Sequence, residues 1–293
     1  MKKSIVVILV ASLVIPITTY SQSFFALRRE RNFLVSLGSG TANYYGEMVN
    51  PGELGRLRPN VAAGAEMYLT SRISVRSELT WFQLYGNDAD ADDDRIERNL
   101  HFRSNNLEFA ALGAYNLSPM GQRFYQRSTL NFHAFGGFGL LWMNPKAKDA
   151  NGKWTALQPL RTENTKYSRI QFVLPVGLGA RIKIDPFFNI LVEGGYRFTF
   201  TDYLDDASST RYADIKPDEG ARYYFSDRRE GENRPREDRR TIVGKRGNPG
   251  RNDGYFIANI TLQYYLPNLV FADFYHKLYT TKRKAYYRRP RSQ

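Results

Sequence analysis

The clearest pattern in the chain is an alternation of apolar and polar residues between positions 188 and 203. One set of alternate positions is apolar and ends in aromatic residues: Phe188, Ile190, Val192, Gly194, Tyr196, Phe198 and Phe200. The intervening positions include an acid and a base, Glu193 and Arg197. Because side chains alternate between the two faces of a β-strand, this period of two predicts a strand with one apolar and one charged face.

Seven further stretches alternate in the same way, so the sequence predicts eight strands in all. The predicted strands cover residues 32–45, 60–69, 73–85, 104–116, 129–143, 167–183, 188–203 and 254–266. The connections after the first, third, fifth and seventh strands are polar and mostly long, and the others are shorter. An even number of strands with short turns at one end and long loops at the other is typical of an up-and-down outer-membrane β-barrel. We therefore expect an all-β, eight-stranded antiparallel transmembrane barrel over residues 22–266, with long outer loops and both termini in the periplasm.

The charged face decides which side of the sheet points inward. It contains seven ionisable residues on the predicted strands: Glu66, Arg76, Glu78, Glu108, Arg181, Glu193 and Arg197. A soluble lipocalin-like barrel has an apolar interior, and burying unpaired charges there is costly. The lumen of an eight-stranded membrane barrel is narrow and filled by side chains, so interleaved acids and bases can pair inside it. We predict that these residues form a polar plug rather than a conduction path.

Composition agrees with a barrel of the outer membrane. The chain has 20 Tyr, 19 Phe and 23 Gly and contains no cysteine, which rules out a lipoprotein, a disulfide scaffold or a Cys-ligated metal site. Lys2 and Lys3 precede a short apolar stretch, and Thr19 and Ser21 fit a small-x-small cleavage pattern. Residues 1–21 are therefore expected to be a signal peptide, with an uncleaved anchor as the alternative. After residue 22, no apolar run reaches the roughly 20 residues of a membrane helix, so any further crossing must use strands.

Candidate chemistry is sparse in this sequence. The three histidines are His101, His133 and His276, and no Ser-centred motif accompanies any of them. The acidic stretch 88–94 lacks the Gly and Glu of an EF-hand loop, although loose cation binding there stays open. We accordingly predict no catalytic, cofactor-binding or metal-binding residues and a protein that is not an enzyme.

Residues 267–293 form a predicted periplasmic tail in which basic and aromatic residues alternate. A disordered basic end, adhesion to anionic lipid and docking on a periplasmic partner are the three interpretations. The interleaved aromatics favour docking, because a purely charged tail lacks anchors. The candidate partner-binding residues are Phe274, Tyr275, Lys282, Arg283, Lys284, Tyr286, Tyr287, Arg288 and Arg289. Nucleic acid is not an expected partner, despite the formal charge of +13.

Two segments resemble a known family. They are SLGSGTANYYGEM at 36–48 and TFTDYLDDASSTRY at 199–212, the latter containing Thr201, Asp202, Tyr203, Leu204, Asp205 and Asp206. Together with the charged middle strands, they are similar to PorG, a small outer-membrane barrel associated with the type IX secretion system of Bacteroidota. The resemblance covers nearly all of the chain beyond the signal peptide.

The resemblance implies a role in assembly rather than catalysis. PorG-like proteins contact outer-membrane lipid and a periplasmic ring built by PorK, a lipoprotein, and PorN, which supports protein export and in some members gliding. We expect the turns at 70–72, 117–128 and 184–187, with the tail, to face that ring. A lipid-modifying barrel enzyme that uses His101 or His133, and a surface receptor or adhesin that uses the long loops, are the alternatives.

Overall fold

Eight antiparallel strands close on themselves in this computed structural model, which describes residues 32–49, 56–90, 98–120, 123–229 and 246–266. The barrel strands and a small hairpin are numbered in chain order. They are β1 Phe33–Tyr45, β2 Arg58–Tyr68, β3 Ile73–Asn87, β4 His101–Asn116, β5 Leu130–Trp142, β6 Pro145–Lys148, β7 Trp154–Ala156, β8 Ile170–Lys183, β9 Phe188–Thr199 and β10 Gly254–Tyr265. The wall runs β1, β2, β3, β4, β5, β8, β9, β10 and returns to β1, which confirms the predicted eight-stranded barrel.

Alternation along each strand sorts side chains between the lumen and the outer surface. Along β3, exposed and buried residues alternate from Ile73 to Phe82. The outward set of the barrel is apolar, with Leu178 at 70% and Ile260 at 65% exposed. This apolar surface spans from the row that contains Ile73 and Tyr115 to the row of Trp81, Leu107 and Trp142. An apolar outside around a charged inside is the organisation of a membrane-spanning barrel.

The two ends of the barrel differ. At the short-turn end, residues 69–72, 117–129 and 184–187 join neighbouring strands, as the sequence predicted. At the long-loop end, residues 143–169, 200–229 and 246–253 contain structure that the sequence did not reveal. The hairpin of β6 and β7 pairs with the end of β4, and a short helix, α1 Ala221–Ser226, follows a 3₁₀ turn at Pro217–Glu219.

Three predicted strand bounds differ from the structure by three or more residues, and the others differ by no more than two. β4 begins at His101 instead of 104, because its first residues pair with the end of β3, and Arg103 and Ser104 also pair with β6. β8 begins at Ile170 instead of 167. β9 ends at Thr199 instead of 203, where the chain turns over the lumen and the Thr199 hydroxyl donates to the Asp253 carbonyl at 2.6 Å, with the Thr201 carbonyl 3.0 Å away.

Several predictions fall on parts of the chain that the structure does not describe. They are the signal peptide at 1–21, most of the acidic loop and the whole tail from 267 onward, including its nine candidate partner-binding residues. No helix within the described ranges is both long and apolar enough to cross a membrane.

Candidate functional site

The lumen nearest the short-turn end is crossed by one ion pair. Both carboxylate oxygens of Glu66 on β2 accept hydrogen bonds from Nη2 of Arg181 on β8 at 2.8 Å. β2 and β8 stand on opposite sides of the eight-stranded wall. The neighbouring lumen side chains complete the polar contacts of the pair: Ser74 and Gln263 donate to Glu66, and Asn116, Gln263 and Tyr68 accept from Arg181.

A second cluster crosses the middle of the lumen. Nη1 of Arg76 on β3 donates to both carboxylate oxygens of Glu193 on β9 at 2.9 Å. Nε2 of His133 lies 2.7 Å from Oε1 of the same Glu193, and Glu78 lies 3.5 Å from Nε of Arg76. This cluster also joins opposite walls.

A third pair lies further toward the long loops. Nε of Arg197 lies 3.7 Å from Oε1 of Glu108, and Nη1 of Arg197 donates to the Gly195 carbonyl at 2.7 Å. The hydroxyl of Tyr255 on β10 donates to the other Glu108 oxygen. The structure thus brings the seven predicted lumen charges into three cross-lumen groups, and each of the seven is at most 8% exposed. Groups that tie opposite walls together fill the lumen of a narrow barrel.

Above the charged groups, the lumen is apolar, a feature that the alternation along the strands did not predict. Phe82 stacks on Tyr255 at 4.8 Å between ring centroids, and Tyr44 meets Phe102 edge to face at 4.9 Å. These rings belong to a buried cluster that also takes in Leu204 from the 201–206 motif. The sequence contains one indication of this apolar region: Phe82 and Leu84 occupy inward positions of β3, where the pattern otherwise places polar residues.

The motif at residues 201–206 covers this apolar part of the lumen, and we call these residues the cap. The Tyr44 hydroxyl lies 2.7 Å from Oδ2 of Asp205 and 2.9 Å from Oδ1 of Asp253. One hydroxyl hydrogen can serve only one acceptor at a time, so the other carboxyl group can hydrogen-bond to the Tyr44 oxygen only when it carries a proton itself. Burial, followed by the charge of Glu47, raises the pKa of Asp205 well above its ordinary value, and burial also raises the pKa of Asp253.

The motif also ties two long loops together. The carboxylate of Asp206 accepts hydrogen bonds from the Thr162 hydroxyl at 2.5 Å and the Tyr167 hydroxyl at 2.7 Å. Burial raises its pKa to about 6. Arg246, which is 2% exposed, donates to the carbonyls of Asp206 and Ser226 and to the carboxylate of Glu163. Arg246 was not among the predicted site residues, because it belongs to a polar stretch with no periodicity.

Asp202 stands apart from its neighbours in the motif. It is 6% exposed, and neither carboxylate oxygen accepts a hydrogen bond of normal geometry, although the Ser208 side chain lies close enough to lower its pKa. Burial has the larger effect, and with the charges of Glu47 and Glu163 it raises the pKa of Asp202 to about 7. Thr201 accepts from the Tyr203 backbone N–H at 3.1 Å, as expected where a strand ends.

The two described histidines have defined partners. His133 is buried in the lumen against Glu193. His101 lies at the long-loop end, where its Nε2 accepts a hydrogen bond from the Lys148 backbone N–H at 2.9 Å and is therefore unprotonated. Of the acidic loop, Asp88 is described, and it accepts hydrogen bonds from Arg98 and from the Leu100 backbone. Within the described ranges, no group of three or more His, Asp or Glu side chains is arranged to hold a metal ion.

The chain is similar to several solved structures but matches no sequence family. No protein-family model and no curated protein matches the chain. Solved structures with a similar barrel include Ail, the attachment invasion locus protein of Yersinia pestis, at 10% identity, with 81% of this chain and 100% of that chain covered and a TM-score of 0.40. Neisserial surface protein A is similar at 8% identity, with 80% and 97% covered and a TM-score of 0.42. A major outer membrane protein from Thermus thermophilus is similar at 12% identity, with 80% and 99% covered and a TM-score of 0.42. The assignment of the barrel rests on the strand pairing of the chain itself.

Proposed function

We propose that this protein is a non-enzymatic outer-membrane component of a type IX protein secretion system of the PorG kind. It would anchor or help to assemble a periplasmic ring of PorK-like and PorN-like proteins. The observation that carries the proposal is the contact between the two family-like segments. Tyr44 of ANYYGE and Asp205 of TDYLDD lie 161 positions apart, yet their side chains meet at 2.7 Å. The residues that carry the resemblance therefore belong to one structural unit.

The filled lumen supports a function carried out by the surfaces of the barrel rather than by conduction of solutes through it. The three cross-lumen groups are buried and joined by short hydrogen bonds. Opening a path through them would separate buried opposite charges, which is strongly unfavourable. A barrel of this kind would act through the surface residues at its two ends.

The short-turn end has the character of a docking surface. Leu117 is 64% and Tyr125 is 60% exposed, and Nη1 of Arg123 donates to the Tyr125 hydroxyl at 3.0 Å. Arg72 and Lys183 lie at the same end of the barrel. Exposed aromatic side chains among arginines are enriched in protein interfaces. In the proposed orientation, this end and the tail face the periplasm and the ring.

Affinity purification from gently solubilised envelopes tests the proposal, with mass spectrometry of the co-purified proteins. We expect a periplasmic lipoprotein and its ring partner to follow the tagged protein. A triple variant of Arg72→Gln, Arg123→Gln and Lys183→Gln, or deletion of residues 267–293, should weaken recovery of the ring. The matched control replaces three exposed cations at the other end, Lys153, Arg211 and Lys216, by Gln and should recover the ring normally.

Other outcomes would point to the alternative functions. A barrel that is recovered alone, from membranes in which other envelope complexes stay intact, would contradict the assembly role. Loss of an activity on envelope lipid in His101→Ala or His133→Ala, with ring recovery unchanged, would indicate a lipid-modifying enzyme. Phenotypes that follow exchange of the long loops, and not the short-turn variants, would indicate a receptor or adhesin.

A further inference from the structure

The strand register places a row of cations just beyond the apolar surface at the long-loop end. Trp81, Leu107 and Trp142 are cross-strand neighbours and form the last apolar row on β3, β4 and β5. Two residues further along, Gln83 donates to Asn105 at 2.9 Å. Four residues beyond the apolar row, Tyr85 pairs with Arg103, and Arg103 pairs with Lys146 of the hairpin.

The row lies just beyond the headgroup region of a membrane whose hydrocarbon core ends at the last apolar row. Four residues of a strand tilted by about 40° rise roughly 10 Å along the barrel axis. The polar headgroup layer adds about 5–8 Å beyond each edge of the hydrocarbon core. Arg and Lys side chains are long enough to reach down from the row into that layer.

Two aromatic rings hold the cations in place. The guanidinium carbon of Arg103 lies 4.1 Å from the centroid of the Trp154 ring, and Nζ of Lys148 lies 5.5 Å from it. The guanidinium carbon of Arg58 lies 4.4 Å from the centroid of Tyr85. We call this set the rim patch: Arg58, Tyr85, Arg103, Lys146, Lys148 and Trp154.

Among the described residues, the rim patch differs from the buried cationic sites of the protein in having no carboxylate partner. Arg181, Arg98 and Arg246 each form an ion pair with a carboxylate. Within the described part of the chain, no carboxylate lies within 4 Å of the charged nitrogens of Arg58, Arg103, Lys146 or Lys148. Four grouped basic side chains that contact no carboxylate among the described residues favour the binding of an anion.

We propose that the rim patch binds the phosphate groups of a phosphorylated glycolipid in the outer leaflet of the outer membrane. Guanidinium and ammonium groups pair with phosphate oxygens, and arginine can do so through two hydrogen bonds at once. The inference rests on the long-loop end facing the outer leaflet, and it is independent of any role in secretion. The barrel would then carry bound glycolipid on the β3, β4 and β6 side of its wall.

The test uses the full-length mature barrel in nanodiscs of phosphatidylcholine that contain about one-tenth diphosphoryl lipid A. Native mass spectrometry counts the lipid A molecules retained by the protein after release from the disc. The variant combines Arg103→Gln, Lys146→Gln and Lys148→Gln, and the control combines Lys153→Gln, Arg211→Gln and Lys216→Gln. Both remove three exposed or half-exposed positive charges from the same end of the barrel.

We expect the wild type and the control to retain lipid A and the rim variant to bind it at least about tenfold more weakly, since each basic residue near an anionic surface strengthens the attraction. Heat-modifiable migration on gels verifies that the variant is folded. A milder second variant changes only the two hairpin residues, by Lys146→Gln and Lys148→Gln. Equal retention by the rim variant would overturn the proposal. Equal retention of phosphatidylglycerol or of dephosphorylated lipid A by the wild type would overturn the assignment to glycolipid phosphate.

Discussion

Arg181 holds both carboxylate oxygens of Glu66 at 2.8 Å across the lumen, although the two residues are 115 positions apart. Each residue is 1% exposed, so neither charge is stabilised by bulk water. The pair therefore depends on its own geometry and on the amide and hydroxyl groups around it. The ion pair links opposite walls of the barrel.

Replacing Glu66 by Ala should destabilise the barrel by about 3–5 kcal/mol, because Arg181 would then be a buried charge without a counter-ion. The double variant Glu66→Leu with Arg181→Met should lose less than the sum of the two single variants. Urea unfolding in lipid vesicles, followed by tryptophan fluorescence and gel migration, measures these differences. The control is Glu219→Gln in the partly exposed Arg222–Glu219 pair, which should change stability by no more than about 0.5 kcal/mol. Additive single and double effects would mean that the pair is not coupled.

The cap around Asp202 should lose stability as pH rises. Its pKa of about 7 in the folded protein lies above the ordinary value of about 4 for an aspartate, so between these values the folded state keeps a proton that the unfolded state has released. The stability that this proton contributes is therefore complete below about pH 4, falls progressively as pH rises from 4 to 7, and is lost above pH 7. Hydrogen exchange of residues 201–208, corrected for intrinsic rates, should show stronger protection at pH 5.5 than at pH 8.

Asp202→Asn separates this effect from other titrations. The amide resembles the protonated acid, so the variant should keep strong protection at pH 8 and show a flatter pH dependence. Asp214→Asn, at an exposed position in the same connection, should retain the wild-type dependence. An unchanged pH dependence in Asp202→Asn would rule out Asp202 as its source.

Gly46→Ala should disrupt the cap without affecting the barrel strands. A Cβ at this position would overlap the Tyr44 hydroxyl and the Asp253 carboxylate, which are buried and hydrogen-bonded to one another. Limited proteolysis of the long loops should become faster in the variant, while heat-modifiable migration stays normal. Gly250→Ala is the matched control, because its Cβ would have ordinary contacts, the nearest at 3.6 Å. Equal proteolysis of the two variants would show that the close packing at Gly46 has no role in holding the cap.

Arg246→Lys should loosen the long loops even though it keeps the positive charge. Nε of Arg246 donates to the Ser226 carbonyl, and Nη1 donates to both the Asp206 carbonyl and Glu163. A lysine cannot reproduce this planar fork. Buried polar groups left without partners cost about 1–3 kcal/mol each. Hydrogen exchange of residues 159–168 and 205–212 should accelerate in the variant but not in Arg211→Lys, at an exposed position nearby. Unchanged exchange would indicate that other contacts suffice to hold the loops.

Several features of the fold were predictable because they are local. Alternation with a period of two is visible within each strand, and it correctly separated the outward residues of β3 from the inward Arg76 and Glu78. The same pattern gave no information about Phe82 and Leu84, whose inward apolar side chains form the outer part of the lumen core. Nor did it reveal the hairpin of β6 and β7, which is held by pairing with β4 rather than by any pattern of its own.

The alternation of eight strands between a charged and an apolar face could be read from the chain alone, because side-chain direction follows from the backbone of a single strand. The contacts of Glu66 with Arg181, Arg76 with Glu193 and Tyr44 with Asp205 could not, and they emerge from the folded barrel. Each of these contacts joins residues more than a hundred positions apart. Their formation depends on barrel closure and on the register of every strand pair between them, and a one-residue slip in that register would send each inward side chain to the opposite face.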